Sequence, residues 1–235
     1  MTTSLATVCA PAFPAHEAGL RSSPRTVEST PGRGDGTGVA LTGTVRNYAH
    51  DSEIYADGDD VRFFYKVVSG VVRTCKFLSD GRRQIDGFHA AGEIFGLEMS
   101  AEHTLSAEAV TDCAVIAYRW RGLQGPGSHG EPMAPQVFSY AMRCLERAQH
   151  HSLLLGRRGA AQRLAAFLLE MARTEVDNTI VDLAMTRQDI ADYLGLTIET
   201  VSRTLSQFER DRLIALPSAR HVVLRNRTAL ASLND

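Results

Sequence analysis

The chain has no apolar stretch approaching the roughly 18 residues that a membrane helix requires, and its N-terminus lacks a basic region followed by an apolar core. Neither a membrane span nor secretion is indicated, so the cytoplasm is the expected compartment. Cysteine is scarce: four residues, at 9, 75, 113 and 144, with no two close enough in sequence to form a metal knuckle. Reduced thiols that behave as small apolar side chains are expected. No cysteine lies between Gly156 and Asp235, which excludes a thiol switch there and leaves Cys75, Cys113 and Cys144 as candidates. The net charge of −2 is short of the basic excess that would by itself announce nucleic acid. From Arg157 onward there are 11 Arg, no Lys and 10 acidic residues, so any case for nucleic acid rests on placement. Nucleophile-elbow and metal-helix motifs are absent, and Ser and His are scattered, which excludes the common hydrolase and metalloenzyme patterns. No catalytic residue and no metal site is expected.

What is present fits a globular protein of two domains: 235 residues, 44% hydrophobic and 22% charged. Residues 1–40 are dominated by Ala, Thr, Ser, Pro and Gly, end in PGRGDGTG and show no sustained period. Such a segment buries too little apolar surface to offset its ordering entropy. A flexible tail is expected there, with Cys9 and His16 solvated in it. Residues 41–130 carry short β-rich runs punctuated by Gly58, Gly70, Gly81 and Gly92, spaced by 11 or 12 residues. That spacing predicts an antiparallel sandwich or roll, with Asp80-Gly81 as a hairpin and Phe64, Val68, Val71 and Phe77 as core candidates.

After the loop GLQGPGSHG (122–130), Pro132 or Pro135 starts a long helix within 131–156. Val137, Ala141, Cys144, Ala148, His151 and Leu155 recur by three and four, the period of a two-helix seam. Phe138, Met142 and Leu145 form a second stripe suited to packing back on the roll. A run from Pro135 to Leu155 spans about 31 Å, enough for a two-fold contact. A helix buried within one chain would carry the same stripes. Gly156 and Gly159 permit a change of direction, and residues 157–235 form the last unit. There Leu164, Phe167, Leu168 and Met171 give one helix an apolar face, LIAL and HVVL read as the strands of a wing with Arg220 and His221 near its tip, and TALASL closes the chain.

The most informative stretch is TRQDIADYLGLTIETVSRTLSQFERD, Thr186 to Asp211. Thr186, with Asp189 three residues on, suits a helix start. Ile190, Ala191 and Leu194 repeat at helical spacing, Gly195 closes that helix, and Thr197 caps a second, which buries Val201, Leu205 and Phe208. This is the pattern of a helix-turn-helix, whose second helix lies in the major groove. Ile198, Glu199, Ser202 and Arg203 share its outer face. Arg203 can bond guanine O6 and N7 in parallel, Glu199 can accept from cytosine, and Ile198 and Ser202 can touch a thymine methyl or an adjacent edge. Thr186, Arg187, Gln188, Thr197 and Thr200 are placed for phosphates. The competing readings are a solvated polar face, or a helix pair that packs a protein partner.

At these residues the chain resembles the Crp/Fnr superfamily of bacterial transcription regulators, and SGVVR, DGRRQI and AAGEIFGLE are similar to its cyclic-nucleotide-binding β-roll. Glu199, Ser202 and Arg203 are similar to the Fnr and FixK branch, since the Crp branch usually has Gly where Ser202 stands. The resemblance implies an α+β fold with an N-terminal cyclic-nucleotide-binding-like β-roll, a long dimerisation helix and a C-terminal winged helix-turn-helix. It implies a homodimeric regulator, an activator that recruits RNA polymerase to genes of low-oxygen metabolism, including respiration or nitrogen fixation. The implied target is an inverted repeat of TTGAT and ATCAA separated by four bases.

The resemblance also has gaps. In cAMP-binding members a Glu holds the ribose and an Arg-Ser pair neutralises the phosphate. Glu98 stands where that Glu falls, but Leu105 precedes Ser106, so the guanidinium is missing. Cys113 is similar to the central ligand of the iron–sulfur members, yet only Cys9 precedes the roll and four thiolates cannot be assembled. Nothing points to a haem axial pair. A FixK-like chain without bound cofactor is the reading that remains, with a regulator gated by a nucleotide or other small molecule in the roll as its alternative.

Overall fold

The computed structural model describes residues 43–119, 134–156, 159–174 and 179–233. The tail over 1–40 and the loop over 122–130 lie outside them. Eight strands fill the first segment: β1 (Gly43–Tyr48), β2 (Glu53–Tyr55), β3 (Phe63–Ser69), β4 (Val72–Phe77), β5 (Arg83–His89), β6 (Ile94–Phe95), β7 (Ser106–Ala109) and β8 (Cys113–Arg119). They form two antiparallel four-stranded sheets, ordered β1-β8-β3-β6 and β2-β7-β4-β5. Tyr65, Val67, Phe95, Val115 and Ala117 of the first meet Tyr55, Val72, Ala107 and Ala109 of the second in a buried core. Gly70 turns β3 into β4 at φ +80°, where a Cβ would also stand 2.4 Å from the Asp112 carbonyl oxygen. Only glycine fits both conditions. The Asp80-Gly81 hairpin joins β4 to β5, with the Leu78 N–H donating to the Arg82 carbonyl.

Two of the four expected core residues are outside. Phe64 is buried and Val71 packs at the core's edge, but Val68 is half exposed and Phe77 is 55% exposed. In β3 the inward positions are Tyr65 and Val67, so Phe64 and Val68, at alternate positions, fall on the outer face. Phe64 is covered there by Tyr118, ring centroids 5.2 Å apart. Phe77 ends β4 where the hairpin leaves the sheet.

The long helix is α1 (Ala134–Leu155), with Pro135 in its first turn. Its expected stripes are divided between the chain's interior and its surface. Tyr140, His151 and Leu154 are buried inside the chain, Cys144 and Leu155 are half buried, and Ala141 and Ala148 are exposed. Met142 and Leu145, expected to pack on the roll, point to solvent with Leu153, which is 70% exposed. His151, expected on the seam, is engaged within the chain: its ring stacks on Tyr193 at 4.1 Å and its Nε2 bonds the Tyr193 carbonyl oxygen. The Val137 side chain falls outside the described residues. Periodicity marks stripes on a helix without saying which neighbour each one meets.

The C-terminal unit comprises α2 (Ala160–Thr174), β9 (Ile180–Asp182), α3 (Arg187–Leu194), α4 (Ile198–Arg210), β10 (Ile214–Ala215), β11 (His221–Leu224) and α5 (Arg227–Ser232). β11 pairs with both β10 and β9, so the wing has a third strand beyond the two runs visible in the sequence. Leu164, Phe167 and Leu168 of α2 are fully buried against α3 and α4. That core does not stop at the unit's border, because Cys75, Ile85 and Val110 of the roll and Leu154 of α1 belong to the same cluster. Among the described residues no helix is long and apolar enough to cross a membrane.

Candidate nucleic-acid interface

Helices α3 and α4 form as their local sequence dictates. Thr186 caps α3: its hydroxyl accepts from the Asp189 N–H at 3.1 Å, while the Asp189 carboxylate accepts from the Thr186 N–H at 2.9 Å. This reciprocal box satisfies two otherwise open donors of the first turn. Gly195 ends α3 in the left-handed region at φ 62°. Thr197 caps α4 by accepting from the Thr200 N–H. Val201, Leu205 and Phe208 are buried on one side of α4, which fixes the opposite face.

That face carries the four expected base-reading side chains. Ile198, Glu199 and Arg203 are exposed and Ser202 is half buried, all within the first turn and a half. The Glu199 carboxyl is held below the usual glutamate range, first by its own backbone N–H and the Thr197 hydroxyl, then by Arg203. It is charged at neutral pH and ready to accept. Around it the expected phosphate set divides. The hydroxyls of Thr186 and Thr197 are engaged as caps, and Thr200 bonds Thr197 at 3.1 Å. Gln188 is exposed but its amide bonds Asp192. Arg187 is half buried, with an enclosed Nε that has no partner. At the wing, Arg220 is exposed and His221 pairs with Asp182.

The sequence reading missed what lies beneath α3. Asp189 is only 1% exposed, because the roll covers it. Its Oδ2 serves the Thr186 cap, and its Oδ1 accepts from Arg73 Nη1 of β4 at 3.2 Å and from Arg83 Nη2 of β5 at 2.5 Å. Arg73 also reaches Glu108 at 2.7 Å and Asp51 at 3.3 Å, and Arg83 reaches Asp192 at 2.8 Å. Burial pushes the Asp189 carboxyl up, but the Thr186 N–H and hydroxyl and the two guanidiniums outweigh it and hold the pKa below its usual value. The signal was partial: an Asp at the third position of a capped helix was legible, its partners more than 100 residues away were not.

Beside this contact is a cavity of about 460 Å³ bounded by the roll, α1, α2, β9 and α3, with Tyr55, Phe88, His89, Cys144 and Tyr193 among its lining. His89 is buried, bonds Thr74 through Nε2, and leaves Nδ1 without a partner; burial and Arg147 push its pKa down to about 3. Glu98, also in the lining, is engaged by His103 Nδ1 at 2.9 Å and by the N–H and hydroxyl of Thr104. The Ser106 hydroxyl accepts from the Asp57 N–H. Burial pushes the Cys75 and Cys113 thiols up to about 11, so both stay protonated at neutral pH. Among the described residues no cluster of His, Cys, Asp or Glu is arranged to hold a metal ion.

Comparison with known proteins matches both halves of this arrangement. Residues 162–233 fit the family model of the Crp-like helix-turn-helix domain, and residues 45–124 that of the cyclic nucleotide-binding domain. The nitrogen fixation regulation protein FixK of Azorhizobium caulinodans is 46% identical over 84% of this chain and 82% of its own. The protein of the same name from Rhizobium meliloti is 41% identical over 80% of this chain and 86% of its own. The solved structure of FixK2 from Bradyrhizobium japonicum superposes with a TM-score of 0.77 at 42% identity, covering 83% of this chain and 98% of that one.

Proposed function

The chain belongs to the Crp/Fnr family of DNA-binding transcription regulators, and from that premise we propose that it is a homodimeric activator of FixK type. In this reading it binds an inverted repeat of TTGAT and ATCAA separated by four bases and brings RNA polymerase to genes of low-oxygen metabolism. The observation that carries it is the outer face of α4. Ile198, Glu199 and Arg203 are exposed with half-buried Ser202 among them, on a helix whose other side is locked by Val201, Leu205 and Phe208. Arg203 reads a guanine, Glu199 a cytosine, and Ile198 and Ser202 a methyl or neighbouring edge. Arg187, Gln188 and the helix N-termini that Thr186 and Thr197 open meet phosphates and set register.

Dimerisation is supported by α1. Met142, Leu145 and Leu153 form an exposed apolar stripe, with Ala141 and Ala148 beside it. A second copy of the helix would cover it and set two reading faces roughly 34 Å apart in successive major grooves. This reading puts the seam on that stripe and leaves His151 to its bond with Tyr193. An electrophoretic shift comparing the inverted repeat with a scrambled duplex at equal salt tests the reading. Equal affinity for both duplexes defeats it.

A second reading has its own observation: the cavity with the unpartnered His89 Nδ1 suits a small effector in the roll. Against a cyclic nucleotide, Glu98 is engaged with His103 and Thr104, Leu105 takes the place of a guanidinium, and Arg147 is paired with Glu93 at 2.7 Å. Calorimetric titration with cAMP and cGMP separates the readings, since saturable heat supports the effector.

A further inference from the structure

The reading helices are held from outside at both ends of α3. At its start, Arg73 and Arg83 of the roll grip Asp189, and Arg83 also takes Asp192 one turn on. At its end, His151 of α1 bonds the Tyr193 carbonyl oxygen and Arg163 of α2 donates to the Leu194 carbonyl at 3.0 Å. We propose that Arg73 and Arg83 are positioning residues for operator recognition: without touching DNA, they fix the angle at which each α3–α4 pair leaves the roll, and so set the half-site spacing the dimer accepts. The proposal rests on the inverted-repeat reading above and adds to it which residues choose the gap.

The argument is one of shared atoms and leverage. A single carboxylate ties two functions together, because Asp189 caps α3 with one oxygen and holds the roll with the other. The start of α3 therefore cannot rotate without breaking either its own cap or the bonds to two guanidiniums. Each guanidinium presents a planar fork that fixes direction as well as distance. The base-reading residues Ile198, Glu199, Ser202 and Arg203 lie 9 to 14 positions beyond Asp189, across the turn at Gly195, so a rotation of α3 about this anchor carries them through an arc and shifts where each half-site must lie.

The test uses full-length Arg83→Gln and Arg73→Gln, with anisotropy titrations over a series of salt concentrations on operators whose half-sites are separated by three, four or five base pairs, and on one with the half-site guanine replaced. Wild type is expected to prefer one spacing. Arg83→Gln should narrow that preference by about fivefold or more while leaving discrimination at the guanine within about twofold. A role in stability alone would lower the melting temperature and leave both preferences unmoved. A direct phosphate contact would weaken all duplexes alike and reduce the salt slope by about 1. Either result overturns the proposal. Should Arg83→Gln fail to fold, Asp192→Asn removes one arm of the grip and spares the Asp189 cap; unchanged spacing preference in that variant overturns the proposal equally. If wild type binds no inverted repeat, the dimeric reading falls first and takes this one with it, whereas intact binding with unaltered spacing preference refutes this one alone.

Discussion

Replacing Asp189 by Ala should be among the most damaging changes to the stability of this chain, and its cost can be worked from the contacts. The carboxylate takes four hydrogen bonds: two from Thr186 and one each from Arg73 and Arg83. Losing a helix cap costs about 1 kcal/mol. Removing one partner of a buried ion pair costs about 3–5 kcal/mol when the other charge is left uncompensated. Here compensation is partial, since Arg73 keeps Glu108 and Asp51 and Arg83 keeps Asp192, which moves the charge contribution to the low end of that range. The sum is about 3–5 kcal/mol. At about 2–4 °C per kcal/mol for chains of 150–250 residues, the melting temperature should fall by about 6–20 °C. Thermal melts followed by circular dichroism at neutral pH read this directly. Asp189→Asn, which keeps an acceptor for Thr186, should lie between Ala and wild type. A loss below about 1 kcal/mol for Ala would show that Asp189 behaves as an exposed residue, and the account of a roll locked to the reading head would be refuted.

Acid should act through the same carboxylate. Its folded pKa is lowered, so its contribution is complete above the unfolded value near 3.9 and is lost as pH falls through the folded one; urea melts from pH 6 to 2 should show Asp189→Asn converging on wild type at the acid end. His89 acts over a different window. With a folded pKa of about 3 against about 6.5 unfolded, the unfolded chain binds a proton that the folded one refuses, so stability falls by about 1.4 kcal/mol per pH unit below 6.5. His89→Gln should remove that slope between pH 6 and 4, and an unchanged slope would contradict a neutral buried imidazole. Arg203→Ala should cost about 1–3 kcal/mol of operator binding and relax choice at one guanine; uniform weakening across base-substituted duplexes would deny it a base-reading role. Leu145→Glu should shift the chain toward monomer in sedimentation at micromolar concentration and weaken operator binding, while a dimer of unaltered affinity would remove α1 from the interface.

The parts of this fold that could be read in the sequence are those specified by near neighbours. Thr186, Asp189, Gly195 and Thr197 are separated by a few residues each, and every one takes the cap or turn its chemistry predicts. Gly70 and the Asp80-Gly81 hairpin are likewise local. The misread residues depend on distant partners. On α1 the apolar stripes were visible, yet which stripe meets the roll is decided by Tyr193 and Ile94, from elements remote in sequence. Val68 was misplaced because β3 turns Tyr65 and Val67 inward, and alternation then sends the even-numbered positions to the outer face. Strand β9 escaped notice because Ile180–Asp182 is too short to show a period and exists through pairing with His221–Val223. The Arg73 and Arg83 grip on Asp189 joins residues 116 and 106 positions apart, and arginines on two neighbouring strands look solvated until the helix that covers them is in place.

The continuous cluster that runs from Cys75, Ile85 and Val110 into Leu164, Phe167 and Leu194 bears on how such proteins can be recombined. A chimaera that grafts residues 157–235 onto a foreign sensor would strip apolar side chains of their cover and leave Asp189 without its guanidiniums. A working hybrid would have to import the matching strands β4 and β5 along with the reader, which makes the hairpin, and not the glycine-flanked hinge, the natural place to begin such a transplant.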